Sequence, residues 1–259
     1  MLSDGLVVTS EDAVRIVTIN RPAARNVIDA DLHHRLLDVW RELDRDPGAR
    51  SVVLTGAGDI FSGGGDFAFL KAQHQSLDLR HSVSQQAGGI LNEMINFRLP
   101  VVAAINGPAV GLGASLALCC DLVLMAERSY LCDPHVSIGL TAGDGGALLW
   151  PYMMSLIRAK EYIYTGARIP AAQAVDLGLA NRVVAGEALL DEALALAAKL
   201  AAQPARALQT TKRAFSKHLA QAAISIVDYG LAAETVELGA EEHIGKVRDF
   251  LGPEKYDEV

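Results

Sequence analysis

Two glycine-rich turns are the first places in this 259-residue chain where residue type and spacing suggest chemistry. One is Phe61-Ser62-Gly63-Gly64-Gly65-Asp66, and the other is Asn106-Gly107-Pro108-Ala109-Val110-Gly111-Leu112-Gly113. Glycine permits positive φ and lets the backbone approach a ligand closely. Two such turns meeting in space can aim two N–H groups at one oxygen, which stabilises negative charge developing on a carbonyl. A helix starting near Leu112 would add its positive N-terminal end. Either turn alone reads equally well as a plain loop. Neither has GxGxxG spacing, no GKS or GKT follows, and no GxSxG elbow occurs. His135, after Asp133-Pro134, is the side chain best suited to proton transfer near neutral pH. Asp144 follows in Ala142-Gly143-Asp144-Gly145-Gly146. Of the 23 glycines, 12 fall within residues 56–65, 107–113 and 139–146.

Strands alternating with helices position these turns. Val14 to Ile19 is β-branched and reads as a strand that stops at Asn20-Arg21-Pro22. Asp29 reads as the N-cap of a helix to about Asp44, with Leu32, Leu36, Val39, Trp40 and Leu43 on one face. Strands follow at Ser51–Thr55, Val101–Ile105 and Leu122–Met125. Helices follow from about 82 to 97 and from Gly111 to Cys119. From about 146 onward the pattern is almost entirely helical, punctuated by Pro170 and Pro204. The reading is an α/β core over residues 1–200 and a helical C-terminal region over 201–259, which is suited to packing on a neighbouring subunit.

Composition narrows the partners. Hydrophobic residues are 51% and charged residues 21%, which excludes a disordered chain. A net charge of −8 and 5% aromatics disfavour nucleic acid. Residues 99–120 are uncharged and long enough to span a bilayer, but Asn106-Gly107-Pro108, Gly111 and Gly113 interrupt them, so a strand, a turn and a buried helix fit better. Cys119, Cys120 and Cys132 form no CxxC pair and read as buried thiols in a reducing cytoplasm. MLSDGLVV has no basic n-region and does not read as a signal peptide. The histidines show no metal-ligand spacing, so no metal is expected.

The ordered set NRP…RN, FSGGGDF, VVAAINGPAVGLGASLALCCDLVLMAE and PHVSIGLTAGDGGA, followed by ARIPAAQAVDLGLANRVV, resembles the crotonase superfamily of enoyl-CoA hydratase/isomerase-like enzymes. The resemblance covers nearly the whole chain. It implies a spiral of ββα units with a helical C-terminal trimerisation region, a homotrimer or dimer of trimers, and an acyl-CoA substrate with no separate cofactor. It implies an enolate held by two backbone N–H groups, which would be those of Gly63 and Leu112. It places the CoA moiety near Ala24-Arg25-Asn26, where Arg25 meets a phosphate or remains a solvated arginine. Lys246 and Arg248 in the last helix read as a solvated face or as a phosphate contact. Asp66 is implied to brace the first loop.

The chain departs from the hydratase pattern at both acid/base positions. Ser115 and His135 stand where a typical hydratase has glutamates, so paired-carboxylate chemistry does not carry over directly. In the implied fold, His135 and Asp144 can meet; a carboxylate on one imidazole nitrogen sets the tautomer and leaves the other as a base. Their bland readings are a satisfied histidine and a helix cap. The His–Asp spacing is similar to 6-oxocamphor hydrolase and related β-diketone hydrolases, which cleave a C–C bond by a retro-Claisen route. That likeness would make Glu234, in DYGLAAETVE, an assisting carboxylate rather than a solvated helix glutamate. FSGGGDF and GLGAS stay close to the CoA-type loops and favour a thioester. Ser115 also resembles the serine of hydroxycinnamoyl-CoA hydratase-lyases, or is a structural helix serine. A silent acyl-CoA-binding protein is the remaining alternative.

Overall fold

Asp29 accepts the backbone N–H of Leu32 at 2.9 Å and so starts α1, Ala30–Asp44. Leu32, Leu36, Val39, Trp40 and Leu43 of α1 are all buried. Each contributes roughly 1.5–3 kcal/mol by leaving water. This computed structural model describes residues 2–3 and 5–258. Before α1 lie β1 (Leu2–Ser3), β2 (Gly5–Glu11) and β3 (Val14–Asn20); after it come β4 (Ser51–Gly56), α2 (Phe67–Gln75), α3 (Leu77–Asn96) and β5 (Val101–Ile105). The chain continues through β6 (Ala109–Val110), α4 (Leu112–Leu118), β7 (Leu122–Ala126), β8 (Tyr130–Cys132), α5 (Gly146–Met153), α6 (Leu156–Thr165) and β9 (Ile169–Pro170). It ends with α7 (Ala171–Leu177), β10 (Arg182–Val184), α8 (Leu189–Ala201), α9 (Ala205–Glu237), α10 (Glu241–Leu251) and α11 (Pro253–Glu258).

The main sheet has strand order β1-β2-β3-β4-β5-β7-β10. From β3 to β10 every pairing is parallel. Helices cover both faces of this parallel part, which is why β4 is buried along its whole length. Its side chains alternate: Val52 and Leu54 join the larger core with α1 and α3, while Val53 joins Leu189, Ala193 and Ala197 of α8. A small second sheet, β6-β8-β9, carries the second glycine turn.

The α/β class is therefore as read from the sequence, and the uncharged run 99–120 is β5, a turn, β6 and the fully buried α4. No helix among the described residues is long and apolar enough to cross a membrane. Three elements differ from expectation. The second helix begins at Leu77, capped by Ser76, and α2 precedes it. β2 forms a hairpin with β3 over Asp12, which takes φ +49° without help from glycine. The region after 146 is not wholly helical, because β10 extends the main sheet beside β7.

Past residue 200 only helices follow among the described residues, but they share the main core. Val227 and Leu231 of α9 lie in the same buried cluster as Leu36 and Leu91. Lys212, also on α9, donates to Leu99 O at 2.6 Å and to Asp121 Oδ2 at 2.7 Å.

Candidate functional site

Asn26 is the local reason that the first glycine turn holds its shape. Fully buried, it accepts from Arg21 N and donates to Ala57 O and Ile60 O. Its own carbonyl accepts from Ser62 Oγ at 2.9 Å. Ser62 in turn bridges Ala109, so the two glycine turns run side by side. Gly64 has φ +86°, and any Cβ there would lie 2.8 Å from Val110 O. Only glycine allows that approach.

The first donor expected from the sequence is corrected. Gly63 N–H is already given to Arg25 O at 3.0 Å and is not available to a ligand. Gly65 differs. It bridges Ile28 in parallel, with the bonds made by Gly64 O and Asp66 N at 2.8 and 3.1 Å. In a parallel bridge that geometry turns the residue's own N–H to the opposite side. Leu112 is the first residue of α4, so its N–H has no partner in the preceding turn. Neither Gly65 N–H nor Leu112 N–H has a hydrogen-bond partner among the described residues. Each sits one residue from the Gly64–Gly111 contact between the turns.

His135 stands beside the second turn, its Cε1 3.5 Å from where a Cβ on Gly111 would be. It is 8% exposed. Its Nδ1 is 2.6 Å from Asp133 Oδ1, and its Nε2 is 3.4 Å from Asp144 Oδ2. The structure thus joins His135 and Asp144, but it leaves neither ring nitrogen free, contrary to expectation. Burial alone would lower the imidazole pKa; the Asp144 and Asp133 carboxylates outweigh it and hold it well above 6.5. The two carboxylates thus favour the protonated ring.

Asp144 is not a helix cap. The residue at the N-cap of α5 is Gly145, with φ +133° and no side-chain bond, and a Cβ on it would strike Ser115. The Asp144 carboxylate instead accepts from Ser115 Oγ at 3.3 Å. Small Ser115, buried in α4, leaves room for a carboxylate that arrives from another element.

Helices α9 and α10 hold the loop that carries His135 and Asp144. Glu237 accepts from both the N–H and the hydroxyl of Thr141. His243, fully buried, is 2.7 Å from Ile138 O through Nδ1, and burial keeps its pKa low. Glu234 also faces the cluster, its Oε2 lying 2.7 Å from where a Cβ on Gly143 would be. That oxygen is buried and unpaired. Burial, with help from Asp144, Asp133 and Glu237 and against the pull of His135, pushes Glu234 up to about 8.

Arg25 lies outside this cluster. It is exposed, has φ +54°, and its guanidinium has no partner among the described residues. Lys246 is exposed, and Arg248 stacks on Tyr256 with its guanidinium carbon 4.8 Å from the ring centre. Asp66 caps α2 by accepting from Ala68 and Phe69 N–H, which braces the first loop. The thiols are not nucleophiles: burial pushes Cys119 up to about 12 and Cys132 up to about 11. No group of three or more His, Cys, Asp or Glu among the described residues is arranged to hold a metal ion. Sequence reasoning missed Asp133 and Gly65. The Asp-Pro-His order was a signal for the first, because an aspartate can accept the N–H two residues on.

Comparison with known proteins shows the family and the fold. A family profile described as enoyl-CoA hydratase/isomerase matches residues 9–243. A putative enoyl-CoA hydratase of Thermus thermophilus is 37% identical over 213 residues, which are 80% of this chain and 82% of that protein. The crystal structure of an enoyl-CoA hydratase/isomerase from Mycobacterium paratuberculosis has TM-score 0.93 and 45% identity, covering 96% of this chain and 99% of that one. A β-diketone hydrolase from the cyanobacterium Anabaena, solved with (S)-3-oxocyclohexyl acetic acid bound, has TM-score 0.85 and 27% identity over 91% of this chain and 94% of its own.

Proposed function

The chain belongs to the enoyl-CoA hydratase/isomerase family and has the crotonase fold, and from that premise we propose that it acts on an acyl-CoA thioester through an enolate held by the Gly65 and Leu112 N–H groups. The observation that carries this reading is the pair of unpartnered N–H groups on two touching turns, beside His135 and its two carboxylates. Donors aimed at developing negative charge supply the largest single contribution in such sites.

In the hydration reading, Asp144 takes a proton from water as the water oxygen bonds to the β-carbon. The double-bond electrons move to the thioester oxygen as an enolate. His135 then returns a proton to the α-carbon, and the C=C bond becomes CH2–CH(OH). Asp144 and His135 replace the two glutamates of the hydratase pattern. Arg25, with its free guanidinium, is suited to a CoA phosphate. Coenzyme A enters as part of the substrate, and the scheme needs no further cofactor. The exposed Ile157, Phe215, Ile224 and Val236 support burial in a homotrimer or dimer of trimers, and free thiols fit a cytoplasmic setting.

A second reading is hydrolytic C–C cleavage of a β-diketone or a β-keto thioester. Glu234 favours it, because a neutral carboxyl with an unpaired buried oxygen can donate to a second carbonyl. The β-diketone hydrolase neighbour points the same way. Mass spectrometry of products from an enoyl-CoA and a 3-oxoacyl-CoA separates the two. A mass gain of one water on the enoyl-CoA supports hydration, and a shortened acyl-CoA plus a free acid supports cleavage. Tight binding with no product from either would overturn both and leave an acyl-CoA-binding protein.

A further inference from the structure

We propose that Asp133 is the positioning residue for His135, fixing its ring and tautomer through Nδ1 so that Nε2 is the nitrogen presented toward Asp144 and the substrate. This inference rests on the enolate chemistry proposed above. It inverts the simple pairing of His135 with Asp144, because the two carboxylates differ in how they hold the ring.

Asp133 Oδ1 grips His135 twice, accepting the ring Nδ1–H at 2.6 Å and the backbone N–H at 3.2 Å. The bond from an aspartate to the N–H two residues on is an Asx turn, and Pro134 between them limits the backbone further. The backbone of His135 is held again from the other side, its carbonyl accepting from Leu140 at 2.8 Å and Ile138 at 3.1 Å. Asp133 is 1% exposed, so water does not compete for the contact. Its second oxygen lies against Gly146, the first residue of α5, where even a Cβ would overlap it.

The Nε2 side is looser. Asp144 stands 3.4 Å away and is shared with Ser115. A contact of that length is at the edge of a hydrogen bond and is readily exchanged for water or substrate. The ring thus has one anchored nitrogen and one that can exchange a proton. The other titratable groups facing the ring are Glu234 of α9, His243 of α10 and Cys132 of β8.

The test is Asp133→Asn, which keeps an oxygen for the Asx turn and removes the charge. The expected result is a kcat lower by about 10–100-fold with KM little changed. The pH limb that reports His135 should move to lower pH, because a carboxylate that favoured the charged ring is gone. A structural Asx turn alone would leave that limb in place. Proton NMR of the wild type gives a readout independent of turnover. A short Nδ1–H to carboxylate bond should produce a far-downfield exchangeable resonance, assigned by its disappearance in His135→Gln and shifted upfield in Asp133→Asn. The wild-type spectrum decides even where the variant fails to fold: absence of any such His135 resonance overturns the proposal. An unchanged pH limb in a folded Asp133→Asn protein overturns it as well. Wild-type protein that shows the resonance but turns over no acyl-CoA refutes the enolate reading instead and leaves the positioning role standing.

Discussion

Two clusters of charge, one around Lys212 and one around His135, are built differently. At Lys212 every contact is closed. The ammonium donates to Leu99 O and Asp121 Oδ2, and Asp121 Oδ2 also accepts from Val101 N at 2.7 Å. Phe97 covers the ammonium at 5.4 Å from its ring centre. Around His135 the pairing is incomplete: Asp133 Oδ2 and Glu234 Oε2 are buried with no partner among the described residues. Three carboxyl groups, Asp133, Asp144 and Glu234, converge on one imidazole. Burying a polar group without a partner costs about 1–3 kcal/mol, so an arrangement that leaves two unmade is poor for stability alone. The closed cluster staples α9 to the sheet; the open one leaves carboxyl oxygens unpaired around the imidazole.

The largest effect should fall on the open cluster. His135→Ala should lower kcat roughly 10²–10⁴-fold on the turned-over acyl-CoA, and it should also lower Tm, because buried Asp133 and Asp144 lose their shared partner. Steady-state kinetics beside a thermal melt checks this, and full activity in the variant would break the contrast. Next is Leu112→Pro. Proline is tolerated at the first position of a helix and removes an N–H that is unpaired, although it also trims the buried Leu112 side chain and should lower Tm. The fold should survive, while kcat should drop roughly 10²–10³-fold if that N–H holds the thioester oxygen. The matching loss of a donor at Gly63 has no such meaning, because its N–H already belongs to Arg25.

That pair of glycines shows where the sequence was legible and where it was not. The strands, the cap at Asp29 and the buried face of α1 follow from periodicity and composition, and they stand as read. The two turns were recognisable as a pair. Which N–H within Gly63-Gly64-Gly65 is free was not, because three identical residues carry no register and Arg25 O is distant in pattern terms. Asp133 was hidden for a similar reason, since Asp-Pro-His is also an ordinary turn. Glu234 sits in a helix of 33 residues with mixed polarity, and only the approach of Gly143 to α9 shows that its Oε2 is enclosed. β10 is three residues long, too short for a period to register inside a helical stretch.

Lys212→Met sharpens the comparison from the closed side. Removing hydrogen bonds to a charged group should cost about 2 kcal/mol, lowering Tm by about 4–8 °C. Asp121 is exposed and can be hydrated, which keeps the loss below that of a fully buried broken pair. At temperatures well below the melt, kcat should match the wild type; a fall in kcat with unchanged Tm would reverse the assignment of the two clusters.

The last effect is the most specific to an open cluster, and it has the opposite sign. Glu234 ionises near 4.5 when unfolded and at about 8 in the fold. Between those values the folded state binds the extra proton, so its stability falls as pH rises through that window. Below pH 4.5 the carboxyl is neutral in both states and carries no penalty. Glu234→Gln keeps the shape and removes the titration. Its melting temperature should equal that of the wild type at pH 4, rise above it through the window, and level off once pH passes 8. Differential scanning calorimetry across pH 4–9 measures it. A constant offset at every pH would mean that Glu234 is solvated and ionises normally, and the unpaired oxygen would then have no role in holding a proton for substrate.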